Sequence, residues 1–150
     1  MTDSREDRGV DFAQSDLVKN ALRHAEAEAG MDMAGTMATL EDDPVYDLMP
    51  IGLRMRGHDR ARRYYEHYFA NVAPRIVGFS LIAEWVGKDG VNQEYDVVFR
   101  HDDGREKTHR ILGILTFGAT KMTGERIYSD DEMLKIMFAP IWDELEPIYP

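Results

Sequence analysis

Apolar residues recur every three or four positions in the first half of the chain, which is the period of an amphipathic helix. This spacing predicts a helix from Phe12 to Ala29, ended by Gly30, whose apolar stripe is Leu17, Val18, Ala21, Leu22 and Ala25. A short second helix is predicted after Asp32, a residue type that caps helix N-termini. A third helix is predicted over 58–72, because Pro74 stops its hydrogen-bond ladder.

The period of the pattern changes from 3.6 to 2 beyond Pro74, which indicates strands. Together with two short strands earlier in the chain, the predicted strands are 45–49, 53–56, 76–86, 91–100, 105–117 and 121–128. Asp-Gly pairs at 89–90 and 103–104 are strong hairpin signals. A last helix is predicted after Asp130. Helices followed by hairpins predict an α+β fold with helices on one face of a curved antiparallel sheet.

The strand from Val91 to Arg100 carries the most informative alternation in the chain, since successive side chains of a strand point to opposite faces. One face carries Tyr95, Val97 and Phe99, and the other carries Glu94, Asp96 and Val98. Two carboxylates on one face either face water or form the chemical end of a pocket.

The predicted strand 76–86 is apolar on both faces. One face carries Val77, Phe79, Leu81, Ala83 and Trp85, and the other carries Ile76, Ile82 and Val86 beside Ser80 and Glu84. Because a half-open antiparallel sheet normally has a polar outer face, we expect a second subunit to cover the convex side of the sheet and form a homodimer.

Composition limits the possible classes of protein. The 150 residues, 43% hydrophobic and 31% charged, suit one globular domain over 11–150 after a flexible tail at 1–10. There is no cysteine, no apolar run long enough for a membrane span and no hydrophobic secretory stretch, so we expect a cytoplasmic protein that does not interact with membranes. The net charge of −10 argues against nucleic acid as a partner.

Four phrases in the sequence carry a resemblance to a known family. They are Tyr-Asp-Leu-Met-Pro-Ile-Gly at 46–52, Gly-His-Asp-Arg-Ala-Arg-Arg-Tyr-Tyr at 57–65, Glu-Tyr-Asp at 94–96 and Gly-Glu-Arg-Ile-Tyr-Ser-Asp at 124–130. In this order and spacing the chain resembles the nuclear transport factor 2-like superfamily, and more narrowly its SnoaL-like branch of polyketide cyclases and ketosteroid isomerase-like proteins.

The resemblance implies a cone, in which the sheet curls around the N-terminal helices and encloses a mostly apolar pocket, with a short helix at the C-terminal end. Enzymes of this family include steroid isomerases, polyketide cyclases, dehydratases and limonene-type epoxide hydrolases. They use carboxylates, tyrosine or histidine at the pocket floor and require no cofactor. The resemblance therefore implies proton transfer without a cofactor.

The family's best-defined catalytic patterns match this sequence only in part. Asp96 stands at the acid position of the epoxide hydrolase pattern, but Glu94 replaces an arginine and Ile127 replaces a carboxylate. Tyr46 and Leu48 stand where that pattern has tyrosine and asparagine. The steroid isomerase pattern needs a tyrosine on the first helix, which has none. Epoxide hydrolysis and steroid isomerisation by those mechanisms are therefore not expected.

The candidate catalytic residues are Asp96 as acid or base, with Glu94 or Glu125 as its partner. The resemblance implies that the Glu94 and Asp96 face lines the pocket, whereas the alternation alone leaves both orientations open. His109 is a candidate general base or, alternatively, part of a cross-strand charge pair. No metal site is expected, because the other histidines (His24, His58, His67 and His101) lack ligand-spaced partners.

The candidate ligand-binding residues lie on the strands and the third helix that the resemblance places around the pocket. They are Tyr46, Leu48, Met49, Tyr64, Val98 and Ile127, with core packing as the alternative for the tyrosines and methionines. We expect the chain to bind a small apolar or polyketide-like molecule, with cofactor-free isomerisation, cyclisation or dehydration. A non-catalytic binding or assembly module and an accessory subunit of a larger oxygenase are the alternatives.

Overall fold

The structure is a computed structural model that describes residues 12–150. Within them the α-helices are α1 (Phe12–Ala29), α2 (Met33–Ala38), α3 (His58–His67) and α4 (Asp131–Met137). The strands are β1 (Leu40–Met49), β2 (Leu53–Arg56), β3 (Ile76–Val86), β4 (Gly90–Arg100), β5 (Glu106–Phe117), β6 (Met122–Tyr128) and β7 (Glu146–Pro147). The predicted tail at 1–10 lies outside the described residues. No helix in the described part has the length and hydropathy to cross a bilayer.

The sheet is curved and unclosed, with the strand order β3-β4-β5-β6-β1-β2-β7. Strands β3 to β6 form the predicted antiparallel meander, and β1 joins it by pairing in parallel with β6. Helix α1 packs against β4, β5 and β6 on the concave side. The predicted α+β fold, with helices on the concave side of a curved sheet, is confirmed, but the parallel β1–β6 pair makes the sheet mixed and not purely antiparallel as predicted.

Three elements differ from the prediction at residues that interrupt regular hydrogen bonding. β1 starts five residues earlier than predicted, because the turn-like Pro44 is accommodated in an irregularity of the β1–β6 pairing between Leu40 and Val45. The third helix loosens into a π-helical turn (Tyr68–Val72) before Pro74, which cannot donate to the ladder. The two-residue strand β7 was not predicted.

The core is aromatic where α3 meets β1 and the C-terminal segment. Tyr46, Tyr64, Tyr65 and Phe138 are fully buried, and the Tyr64 ring stacks on Phe138 with centroids 4.2 Å apart. Such pairs stabilise a core beyond their buried area. These contacts fix α3 against the sheet, and so fix the position of the Tyr65 hydroxyl.

The buried face of α1 differs from the predicted stripe in one position. Leu22 is 40% exposed, whereas Ala21 and His24 are fully buried. A helix that presents positions 21, 24, 25 and 28 to the sheet turns position 22 towards solvent. The predicted stripe is therefore wrong at Leu22, and a histidine takes part in the buried face instead.

Candidate active site

A cavity of about 510 Å³ opens between α1, the π-helical turn and strands β3 to β6. Its volume lies within the roughly 300–1,000 Å³ typical of small-molecule sites. The walls are mainly apolar and include Ile76, Phe79, Leu81, Val97 and Leu115. The polar lining residues include Glu28, Tyr68, Gln93, Tyr95 and Glu125. The cavity therefore suits a mostly apolar molecule with a few polar groups.

The carboxylates of the cavity come from opposite ends of the chain. Glu28 follows His24 by one helical turn on α1, so both side chains lie on the same face. Glu125 is on β6, where the parallel pairing places it directly beside Tyr46 of β1. The curve of the sheet around α1 brings these two groups together.

Five residues form one hydrogen-bonded group at this end of the cavity, here named the polar cluster. His24 Nε2 lies 3.4 Å from Glu28 Oε2 and 3.7 Å from Glu125 Oε2. Tyr65 Oη lies 3.0 Å from His24 Nε2 and donates to Glu125 Oε2 at 3.2 Å. Tyr46 Oη lies 2.5 Å from Tyr65 Oη. His24 is fully buried, and the Glu28 side chain keeps 23% of its surface exposed.

The hydrogen-bond partners of His24 indicate that its ring carries two protons. Thr39 Oγ1 lies 2.7 Å from His24 Nδ1 but donates its single proton to the Thr36 carbonyl oxygen. Tyr65 donates its single proton to Glu125. Because each hydroxyl has only one proton to donate, both ring nitrogens of His24 act as donors, which is the imidazolium form.

The electrostatics of the polar cluster agree with this protonation. Burial alone lowers the pKa of His24, but the hydrogen bonds and charges of Glu125 and Glu28 outweigh it and raise that pKa from 6.5 to about 10. Burial raises the pKa of Glu28, and the nearby Glu125 charge adds to this, whereas His24 opposes it. Glu28 is therefore a carboxyl poised to exchange a proton with a molecule in the cavity.

Two tyrosines add hydrogen-bond donors to the same cavity. Burial is the main cause that raises the pKa of both Tyr68 and Tyr95, and the charges of Glu28 and Glu125 add to it. Within residues 12–150 neither hydroxyl has a hydrogen-bond partner. A carboxyl that exchanges a proton and two neutral hydroxyl donors in an apolar cavity are the groups that general acid–base catalysis requires.

Comparison with known proteins identifies the fold. No protein-family model matches the sequence, and no curated protein matches it significantly. A LEH-like epoxide hydrolase from M. tuberculosis matches with a TM-score of 0.60 at 19% identity, over 83% of this chain and 91% of that protein. An NTF2-like protein from Cytophaga hutchinsonii matches with a TM-score of 0.63 at 10% identity, over 76% of this chain and 99% of that protein. The chain has the nuclear transport factor 2-like fold.

A third match bears on the narrower resemblance to the SnoaL-like branch. A protein from Mesorhizobium loti, named as a SnoaL-like polyketide cyclase, matches with a TM-score of 0.58 at 21% identity, over 73% of this chain and 96% of that protein. The predicted resemblance is confirmed for the fold, which is what likeness at these identities shows. The chemistry of this chain therefore depends on its own residues.

The structure contradicts the predicted orientation of Glu94 and Asp96 in this nuclear transport factor 2-like fold. Arg110 lies beside both on the face of the sheet opposite the cavity, with Nε 2.5 Å from Asp96 Oδ1 and Nη1 2.6 Å from Glu94 Oε2. The other face of β4 lines the cavity with Gln93, Tyr95 and Val97. This orientation is favoured because burying two carboxylates in an apolar cavity would cost more free energy than burying Tyr95 and Val97. The Arg110 guanidinium lowers the pKa of Asp96.

Of the other predicted site residues, Glu125 lines the cavity. Leu48, Tyr64 and Ile127 are buried in the core, which was the alternative for Tyr64. Tyr46 is also buried, and it reaches the polar cluster through Tyr65. Val98 lies on the outer face with Asp96, and Met49 is half-buried outside the cavity lining.

His109 lies outside the cavity lining and does not pair with Asp96. It is buried opposite Val97 in the β4–β5 pairing, and its Nδ1 lies 2.6 Å from Asp130 Oδ2. Its Nε2 lies 3.1 Å from His101 Nε2. His109 is therefore not placed to act as a general base in the cavity, and its side chain leaves the sheet on the face opposite to Asp96.

His24 and Glu28 of the polar cluster, and the cavity tyrosines Tyr68 and Tyr95, are functional residues that the sequence did not predict. The signal that could have found His24 and Glu28 is their spacing, since positions 17, 21, 24 and 28 continue one helical stripe at intervals of four, three and four. A histidine and a glutamate on the buried stripe of a helix need polar partners from elsewhere in the fold. The fold supplies these partners, because it brings Glu125 Oε2 to 3.7 Å and Tyr65 Oη to 3.0 Å from His24 Nε2.

Proposed function

We propose that the cavity binds a small, mostly apolar molecule with a carbonyl group and catalyses proton transfer at the carbon next to that carbonyl. The reaction class is cofactor-free isomerisation, cyclisation or dehydration. The observation that supports this proposal is the contact of Glu28 with the buried His24–Glu125 pair at the edge of an apolar cavity. It replaces Glu94 and Asp96 as the proposed acid–base residues.

Glu28 is the proposed proton carrier. As a carboxylate it takes a proton from the carbon, and its raised pKa makes it a stronger base than an ordinary glutamate. As a carboxylic acid it then returns that proton to another carbon or to a leaving hydroxyl group. Tyr68 or Tyr95 donates a hydrogen bond to the carbonyl oxygen, on which negative charge develops.

His24 and Glu125 are proposed to keep Glu28 in place and to adjust its charge. The imidazolium of His24 stabilises the carboxylate form of Glu28, while Glu125 balances the charge of His24. Two structural neighbours, from Bacillus subtilis and Rhodopseudomonas palustris, carry names that suggest isomerase activity, which is one of the proposed reaction classes.

The test is exchange of carbon-bound hydrogen for deuterium in small ketones, followed by NMR in D₂O. Cyclohexanone, 1-tetralone and 2-decalone are suitable probes. We expect catalysed exchange that falls at least about 100-fold in Glu28→Gln, as removal of a general base typically causes. Glu94→Gln on the outer face is the matched control and should exchange at the wild-type rate. Binding of the ketones without catalysed exchange would instead make the chain a non-catalytic binding module.

The proposed assembly is a homodimer through the convex face of the sheet. Apolar side chains lie on this face on three strands: Trp85 is exposed on β3, Tyr128 is exposed on β6, and Leu112 and Ile114 of β5 lie between them in rows that also contain Asn92 and Glu94. Arg110 is already paired with Glu94 and Asp96, which lowers the cost of covering these charges. Sedimentation velocity should give a dimer for the wild type and a monomer for Leu112→Glu; a wild-type monomer at all concentrations would contradict the proposal.

A further inference from the structure

We propose that His101, His109 and Glu132 form a binding site for a divalent transition-metal ion, most suitably Zn²⁺. His101 follows β4, His109 is on β5 and Glu132 is in the first turn of α4. None of the three lines the cavity, so this site is independent of the proposed acid–base chemistry.

The three ligand atoms form a nearly equilateral triangle. His101 Nε2 and His109 Nε2 are 3.1 Å apart, and Glu132 Oε1 lies 3.7 Å from the first and 3.8 Å from the second. Zinc bonds of about 2.0–2.1 Å in a tetrahedron place two ligand atoms roughly 3.3 Å apart. A small inward movement of the Glu132 side chain would therefore complete three bonds, with the fourth position left for water.

Asp130 gives His109 the tautomer that a metal ligand needs. The carboxylate Oδ2 lies 2.6 Å from His109 Nδ1, so the proton is on Nδ1 and the lone pair is on Nε2, which points at His101. A carboxylate behind a metal-binding histidine is the usual outer partner in zinc sites, where it fixes the ring and raises its basicity. Asp130 is itself held, because its other oxygen caps α4 by accepting from the Met133 backbone amide at 2.8 Å.

The site has a buried side and an open side. His101 and His109 are buried, which restricts their movement, whereas 41% of the Glu132 side chain is exposed and offers a path for the ion. Lys107 Nζ lies 3.0 Å from Glu132 Oε1, and Arg105 Nη2 lies 3.6 Å from Glu132 Oε2. Both cations are on exposed side chains that can move away when the ion binds.

A second group of metal-binding side chains, His24 with Glu28 and Glu125, is less suited to an ion. Both nitrogens of His24 already act as hydrogen-bond donors to Thr39 and Tyr65, so neither offers a lone pair. At the proposed site only His101 has to change its tautomer, with its proton moving from Nε2 to Nδ1 of the same ring so that Nε2 offers a lone pair. The ion would join the β4–β5 hairpin to the start of α4, which is a stabilising role.

Zinc titration of the whole chain by calorimetry, after removal of metal with a chelator, tests this proposal. We expect one Zn²⁺ per chain, with affinity at least tenfold weaker in His101→Asn and in His109→Asn. The His109→Asn amide keeps a donor towards Asp130, so the fold is preserved while the ligand atom is lost. His58→Asn on the exposed start of α3 is the matched control, and it should bind zinc as the wild type does.

The wild-type protein provides a second readout that does not depend on any variant. Zinc should shift the NMR signals of the His101 and His109 rings and leave those of His24 unchanged, and Co²⁺ should give the visible absorption of a tetrahedral site. Absence of zinc uptake by the wild type at 100-fold molar excess would overturn the proposal. Zinc binding that shifts the NMR signals of the His24 ring would also overturn the proposal. So would a zinc affinity that is unchanged in the double variant His101→Asn, His109→Asn.

Discussion

The hydroxyl oxygens of Tyr46 and Tyr65 lie 2.5 Å apart, which is the closest polar contact in the polar cluster. Because Tyr65 also donates to Glu125, the contact joins β1 to α3 and to β6. The same oxygen lies 3.0 Å from His24 Nε2. One phenol group therefore satisfies three buried polar partners.

Tyr65→Phe should lower the free energy of unfolding by about 1–3 kcal/mol, because three buried polar groups each lose a partner. Tyr68→Phe is the matched control, since the Tyr68 hydroxyl has no hydrogen-bond partner within the described residues. Urea unfolding measures the free energy of unfolding of both variants. Equal stability of the two variants would contradict the account of the polar cluster.

The protonation of His24 predicts how stability depends on pH. Because folding raises its pKa from 6.5 to about 10, protonated His24 stabilises the folded state fully below about pH 6.5. That stabilisation is lost as pH rises through about 10. The free energy of unfolding should therefore fall between these values in the wild type and fall less in His24→Gln. NMR of the ring should show His24 still protonated at pH 8; a neutral ring at that pH would contradict the prediction.

Glu125→Gln should reverse the shift of the His24 pKa. Without the Glu125 charge, burial of the ring opposes protonation more effectively, so the pKa of His24 should fall. The Glu94→Gln control removes a carboxylate from the outer face of the sheet and should leave this pKa unchanged. NMR titration of the His24 ring measures its pKa in both variants. An unchanged pKa of His24 in Glu125→Gln would contradict the close contact of His24 with Glu125.

Gly113 offers a way to narrow the cavity without replacing any of its acid–base groups. A Cβ at this position would lie 3.9 Å from Glu125 Oε1 and 4.0 Å from Tyr95 Cε1, which are ordinary contact distances. Gly113→Ala should therefore fold normally but weaken binding of 2-decalone more than binding of cyclohexanone. Fluorescence or calorimetric titration measures the affinity for both ketones. An equal loss of affinity for 2-decalone and cyclohexanone would place the binding site elsewhere.

Gly124 makes the parallel pairing of β1 with β6 possible. Its φ is +142°, and a Cβ would lie 1.8 Å from the Val45 carbonyl oxygen. Gly124→Ala should cost roughly 3 kcal/mol or more, because the backbones must separate. Gly104→Ala is the matched control: its φ is +84°, but no atom lies within 4 Å, so we expect a loss of about 1 kcal/mol. Thermal unfolding measures the stability of both variants. Equal losses of stability would contradict the role of Gly124 in letting the β6 backbone approach Val45 closely.

The fold was predictable because its signals are local. Helix spacing before Pro74, alternation after it and the Asp-Gly turns define the elements, and five of the predicted strands match the sheet within one residue at each end. Strand β7 has no such pattern, since it is two residues long and depends on its pairing with β2.

The site was less predictable because its residues meet only through long-range packing. Alternation correctly separated Glu94 and Asp96 from Tyr95 and Val97, but it does not say which face turns inwards. Arg110, opposite Asp96 in the β4–β5 pairing, decides this by holding the carboxylates outside. The sequence around His24 does not reveal its partner Glu125, because Glu125 is about 100 positions away on β6.

The parallel pairing of β1 with β6 also has a consequence for the order of folding. Pairs such as Tyr46 with Glu125 are far apart in sequence, and contacts of this kind form late because closing a long loop costs entropy. The β3–β6 meander can form from neighbouring hairpins before that. The Tyr46 hydroxyl then stays in water until β1 docks, so its contact with Tyr65, which ties the polar cluster to β1, forms only in that step.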